Sequence, residues 1–96
     1  MRQITIDAIR AFRNNQKFKR GNTEVKVHSD GYRELRLHNN VIAWYDEGSL
    51  FIRDGGWQTT TTKERLNGLP NVFIYQKNFQ WYLNGETWNG ERIKID

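Results

Sequence analysis

The chain has no cysteine, one proline, one methionine and two histidines among its 96 residues. Without cysteine there is no disulfide, no thiolate metal ligand and no thiol nucleophile, and a reducing cytoplasm is the expected compartment. His28 and His38 are the only imidazoles, and neither stands three or four residues from a carboxylate on a helix. A zinc site would need an assembly across strands, so no metal and no other cofactor is expected. A hydrolytic triad would have to draw on Ser29 or Ser49, both in turns, with no strand-to-helix elbow around either. Asp46 and Glu47 read as solvated turn formers, not as an acid and base pair. These gaps argue against an enzyme. No apolar run nears the roughly 18 residues that cross a bilayer, and MRQITIDAIRAF lacks the apolar segment of a signal peptide, so no membrane association is expected.

Rings and cations are what the chain does have. Aromatic residues make up 14% of it against 36% hydrophobic in all, with a mean hydropathy of −0.88, so the core must rely on large rings. A chain this short buries about 60–65% of its unfolded surface, enough for one domain and no more. The net charge of +4 is unevenly placed. Residues 1–20 hold six basic side chains (Arg2, Arg10, Arg13, Lys17, Lys19, Arg20) against Asp7, or +5, while the remainder holds nine against ten, or −1. A basic end of this kind steers toward phosphates or an acidic protein surface, or else merely keeps the chain solvated.

Hydrophobic period divides the chain into four parts. Residues 1–20 read as a basic helix and tail, with Thr5 as N-cap inside a hydrophobic staple of Ile4 and Ile9, and with Ile6, Ile9 and Phe12 facing the core beside Ala8 and Ala11. Asn14 and Asn15 end it. Residues 22–54 alternate with period two between the turns SDGY, Asn39–Asn40 and DEGS, which predicts a meander of four antiparallel strands. Its inward set is Val25, Val27, Leu35, Leu37, Ile42, Trp44, Leu50 and Ile52. Its outward set is Lys26, His28, Tyr32, Arg36, His38, Tyr45, Phe51 and Arg53.

Next comes GGWQTTTTKERLNGLP, residues 55–70. Trp57 is expected to anchor the loop, Thr61 and Glu64 form a capping box, and a short helix over 61–67 stops before Pro70. Residues 72–95 read as a second hairpin and an edge strand, with Trp88 closing the core. The expected fold is α+β, a single small domain in the order α-β-β-β-β-α-β-β. It is a strongly twisted antiparallel sheet or partial barrel with both helices packed on it.

Two binding surfaces follow. Arg10, Arg13, Lys17, Lys19 and Arg20, together with the outward Lys26, Tyr32, Arg36, Phe51 and Arg53, interleave rings with cations, the composition on which single-stranded nucleic acid stacks and is held. Cross-strand stability alone yields the same mixture. At the start of the second helix, Thr61, Thr62, Lys63 and Arg65 form a possible anion site, although Glu64 competes for the same donors.

The blocks Gly56, Trp57, Thr61, Thr62, Lys63, Arg65, Leu66, Asn67 and Tyr75, Gln76, Lys77, Trp81, Tyr82, Leu83 resemble a family of small proteins encoded by tailed phages and related mobile elements. The resemblance covers roughly Tyr32 to Gly90 and leaves out the basic first twenty residues. It implies a phage origin, with the host cytoplasm as compartment, and brings no catalytic residues. The expectation is therefore a small phage accessory protein that acts by binding, with nucleic acid as partner. The alternative is a phage effector that binds and inhibits a host or defence protein, of the anti-CRISPR or anti-restriction type. Oligomeric state and strand order are left open.

Overall fold

Two-residue turns set the architecture. In the computed structural model, which describes residues 1–96, the pairs His38–Asn39, Glu47–Gly48, Asn78–Phe79 and Asn84–Gly85 all hold positive φ. That is the type I′ geometry, whose twist matches the twist of the strands it joins. The elements are α1 (Gln3–Arg13), β1 (Phe18–Arg20), β2 (Thr23–Val27), β3 (Arg33–Leu37), β4 (Asn40–Asp46), β5 (Ser49–Ile52), α2 (Thr60–Leu66), β6 (Ile74–Lys77), β7 (Gln80–Leu83), β8 (Glu86–Thr87) and β9 (Ile93–Lys94). All pairings are antiparallel. One open sheet runs β1-β2-β3-β4-β5-β9 and a second runs β6-β7-β8. Both helices contact the first sheet, α1 against β1, β2 and β3 and α2 against β4, so one face of that sheet is covered. The buried apolar cluster is continuous from Phe12 and Leu35 in this layer to Trp81 and Trp88 in the second sheet.

Several sequence expectations are corrected. β1 lies in what reads as a tail, because only pairing with β2, not local alternation, makes a strand of three residues. Helix α1 begins at Gln3, three residues before the expected start, with Arg2 as N-cap and no side-chain cap. Thr5 is fully buried inside it, where its hydroxyl donates to Glu64 and accepts from Arg65 Nη1 at 2.7 Å, stronger partners than its own helix amide. Ile6 is exposed, while the small Ala8 and Ala11 let the helix approach the sheet. At the facing end of α2, Gly68 has no room for a side chain, since a Cβ would stand 2.8 Å from Ile9 Cγ1.

The largest correction comes from a bulge. β3 and β4 pair Leu35 with Ala43 but Arg36 with Val41, so Ile42 is an extra residue, and both Ile42 and Ala43 point inward. Every later residue of β4 is thereby displaced by one position. Trp44, expected inside, lies on the open face, whereas Tyr45, expected outside, packs under Phe12 with ring centroids 4.9 Å apart. Arg33 stands over the Tyr45 ring at 4.1 Å and donates to the carbonyls of Phe12 and Arg13, closing the C-terminus of α1.

Candidate functional site

The uncovered face of the six-stranded sheet carries two cross-strand rows. One runs Lys19, Glu24, Arg36, Val41, and the other runs Lys26, Glu34, Trp44, Phe51, Lys94. At the centre of the second row Trp44 and Phe51 lie nearly parallel, 8° apart with centroids 5.5 Å from each other. Arg92 stands 4.9 Å from the Phe51 centroid and 6.0 Å from that of Trp44, and Arg53 stands 5.8 Å from Trp44. The Arg53 Nε donates to the Val41 carbonyl at 2.7 Å, which aims the rest of its guanidinium across the ring. The ion pairs of the molecule join Asp7 to Arg10 and Arg20, Glu34 to Arg36, and Glu64 to Arg65. Arg53, Arg92 and Lys94 take no part in them.

The other end of the face is internally neutralised. Glu34 accepts from Arg36 Nη2 at 2.7 Å and from the Tyr32 hydroxyl at 3.2 Å. Burial alone would raise the Glu34 carboxyl, but Arg36 and Tyr32 outweigh it and hold the group below its ordinary range. Tyr32 is raised, first by burial and then by the neighbouring Glu34 charge. His28 packs against the Tyr32 ring, with 5.3 Å between centroids.

Of the expected binding set, Lys19, Lys26, Tyr32, Arg36, Phe51 and Arg53 share this open face. Arg10 and Arg13 do not. They ride on α1 against the opposite side of the sheet, and Lys17 sits in the irregular segment before β1. Strand alternation sends Arg20 away from Lys19, back over the Phe18 ring and onto Asp7 at 2.8 Å, a bond that lowers the Asp7 pKa. The N-terminal cations therefore do not form one patch. Trp44, Arg92 and Lys94 complete the site and were missed, Trp44 because of the bulge. The two cations were missed because β9 reaches β5 from across the chain.

The threonine-rich loop is structural for the most part. Thr59, not Thr61, caps α2, accepting the Thr62 N–H at 3.1 Å, and the Thr62 hydroxyl lies 3.0 Å from the Thr59 hydroxyl. Glu64 is turned away from that end to meet Thr5, the Arg2 N–H and Arg65. Arg65, at 1% exposure, is a buried guanidinium that also donates to Thr23 at 3.0 Å and so ties α1, α2 and β2 together. The expected anion site of Thr61, Thr62, Lys63 and Arg65 is thus not assembled, because Thr62 and Arg65 face inward. Trp57 is not an anchor either. It is largely exposed on the wall of a cleft of about 510 Å³ whose floor is Leu37 and Ile42 and whose rim includes His38, Asn40 and Asp54. Asp54 accepts the Gly56 N–H at 2.7 Å, and its N–H donates to the Gly90 carbonyl at 2.9 Å. A Cβ at Gly90 would stand 1.9 Å from the Asp54 carboxylate.

On the three-stranded sheet a second set of rings faces outward. Tyr75 and Tyr82 are stacked at 5.1 Å, Phe73 lies 5.6 Å from Tyr75, and Phe79 stands 95% exposed at the hairpin tip. Phe79 holds φ +67°, a left-handed position usually given to glycine.

A family model described as Kyanoviridae Gp96 protein matches residues 1–94. The chain belongs to that family. As a Kyanoviridae Gp96 protein it is a phage protein, and the match takes in the basic N-terminal helix that the Tyr32–Gly90 resemblance leaves out. No curated protein and no solved structure matches the chain. None of its helices is long and apolar enough to cross a membrane.

Proposed function

We propose that this phage protein acts by binding, without chemistry of its own, and that it takes single-stranded nucleic acid across the open face of the six-stranded sheet in the host cytoplasm. The supporting observation is the Trp44–Phe51 stack ringed by Arg53, Arg92 and Lys94, none of them ion-paired. Bases extend the stack, while the guanidinium and ammonium groups hold phosphates on either side. Such a surface tolerates any base sequence, because every base has a π face. Lys26 lies beyond Glu34 in the same row and Lys19 in the neighbouring row, and Glu34 keeps the Tyr32 end neutral, so the strand is drawn to the β5 side.

The test is anisotropy of a labelled oligo-dT or oligo-U across a salt series. With Lys26, Arg53, Arg92 and Lys94 engaged, log affinity falls by about 3 for each tenfold rise in salt, at about 0.7 per phosphate. Trp44→Ala and Phe51→Ala each weaken binding by about 1–3 kcal/mol, roughly 5- to 150-fold. Retention that ignores ionic strength, or that survives loss of both rings in a folded protein, overturns the proposal. A protein target is the second reading, favoured by the exposed Phe73 and Phe79. Capture of a defined host protein that resists nuclease treatment, by a variant without Trp44 and Phe51, would decide for it.

A further inference from the structure

The free edges of the two sheets differ. β1 has three residues, two of them Lys19 and Arg20, while β8 and β9 have two residues each. β6 is a four-residue edge with one charge, Lys77. Short or charged edges resist pairing, and β6 is the one least protected in this way. Lys77 and Gln80 close a two-residue turn and so form a hydrogen-bonded pair, and alternation along an antiparallel ladder then points the N–H and C=O of Ile74 and Gln76 outward. Those of Ile74 are already taken, by the Asn67 side chain at 2.6 and 2.9 Å. Those of Gln76 have only solvent. Beside this edge lie the exposed rings Phe73, Tyr75 and Phe79.

We infer that β6 pairs with β6 of a second copy, giving a twofold dimer centred on Gln76. Antiparallel pairing of Gln76 with its symmetry mate forms two hydrogen bonds between their main chains. The same register sets Tyr75 opposite the partner's Lys77, a ring–cation pair made twice, and the ladder ends there, with the turn residue Phe79 of each copy at the end of the partner's β6 that carries Phe73. The doubled Tyr75–Lys77 contact supplies the self-complementarity that an isologous interface requires, with the exposed Phe73 and Phe79 at its margins. At 63%, 36% and 95% exposure, and about 150–250 Å² per ring, the three rings offer roughly 300–500 Å² per copy. Two copies bring that to about 600–1,000 Å², against about 1,200–2,000 Å² for stable interfaces, so with the flanking Gln76 and Asn78 the dimer is weak and concentration-dependent. A nucleic acid is a poorer occupant, because Lys77 is the hairpin's one cation.

Sedimentation velocity on the full chain, without nucleic acid, from about 1 µM to about 1 mM tests this over the range of a micromolar-class Kd. A monomer–dimer equilibrium is expected. Gln76→Pro removes an outward N–H that no contact within the monomer uses, and Phe79→Ala removes a ring that is already in solvent. Each should raise the dimer Kd at least about tenfold while circular dichroism stays native. In this cysteine-free chain, Gln76→Cys should crosslink to its own mate on mild oxidation while Thr87→Cys does not. A monomer throughout the range, or a dimer indifferent to Gln76→Pro and Phe79→Ala, overturns the inference. So does a monomer whose oligonucleotide affinity drops on Phe79→Ala, which would hand the rings to nucleic acid. Loss of binding in Trp44→Ala bears on the other face alone.

Discussion

On the six-stranded sheet Trp44 and Phe51 lie among Arg53, Arg92 and Lys94, whereas on the three-stranded sheet Phe73, Tyr75, Tyr82 and Phe79 have Lys77 as the single cation of their hairpin. Both are ring surfaces. On the two proposals above, cations fit the first to a polyanion, and their scarcity fits the second to a surface like itself. The contrast teaches that the charge around a group of rings, more than their area, separates the kinds of partner each face is proposed to take.

The sharpest way to break the comparison is to ask whether the two sheets are separate bodies. Eighteen buried apolar residues form one cluster through both, and Trp81 is among the largest of them, with Trp88 6.1 Å away. Trp81→Ala should cost about 3–5 kcal/mol and lower the denaturant midpoint of the whole molecule in a single transition. Two transitions, with the Trp44 face unfolding at its usual midpoint, would show that the sheets are independent units.

Acid comes next. Burial would raise Glu64, but Thr5, the Arg2 N–H and Arg65 together hold it below its ordinary value of 4.5. A carboxylate whose folded pKa is depressed contributes stability that is complete above the unfolded value and is lost as pH falls through the folded one. Stability should therefore decline below about pH 4.5, and Glu64→Gln should flatten that acid limb in urea titrations taken at successive pH values. The helices joined by Arg65 would loosen from the larger sheet first, which sharpens the distinction between the regions. An unchanged acid limb in Glu64→Gln would rule this network out as its source.

The smallest effect has the opposite sign. Phe79 holds left-handed backbone at the tip of its turn, and Phe79→Gly should stabilise the fold by up to about 1 kcal/mol while weakening self-association. A destabilised Phe79→Gly variant would mean that the ring has contacts within its own chain.

Local chemistry carried much of this structure in plain view. Turn residues at SDGY and DEGS delimit strands in the expected places, and the threonines before Lys63 announce a helix within a residue of its true span. What stayed hidden was decided at a distance. β1 exists only because β2 pairs with it, and Arg65 is buried only because Thr5, Thr23 and Glu64 converge on it from three elements. Half of the candidate face was legible, in Lys26, Phe51 and Arg53. The other half depends on β9 crossing to β5 and on the bulge at Ile42.

That bulge makes the exterior editable. One codon more or fewer in β4 trades the side chains shown to solvent for those in the interior along the rest of the strand, with Trp44 and Tyr45 changing places. That short segment thus offers a lineage a route to a different surface by length alone, with no new residue type required.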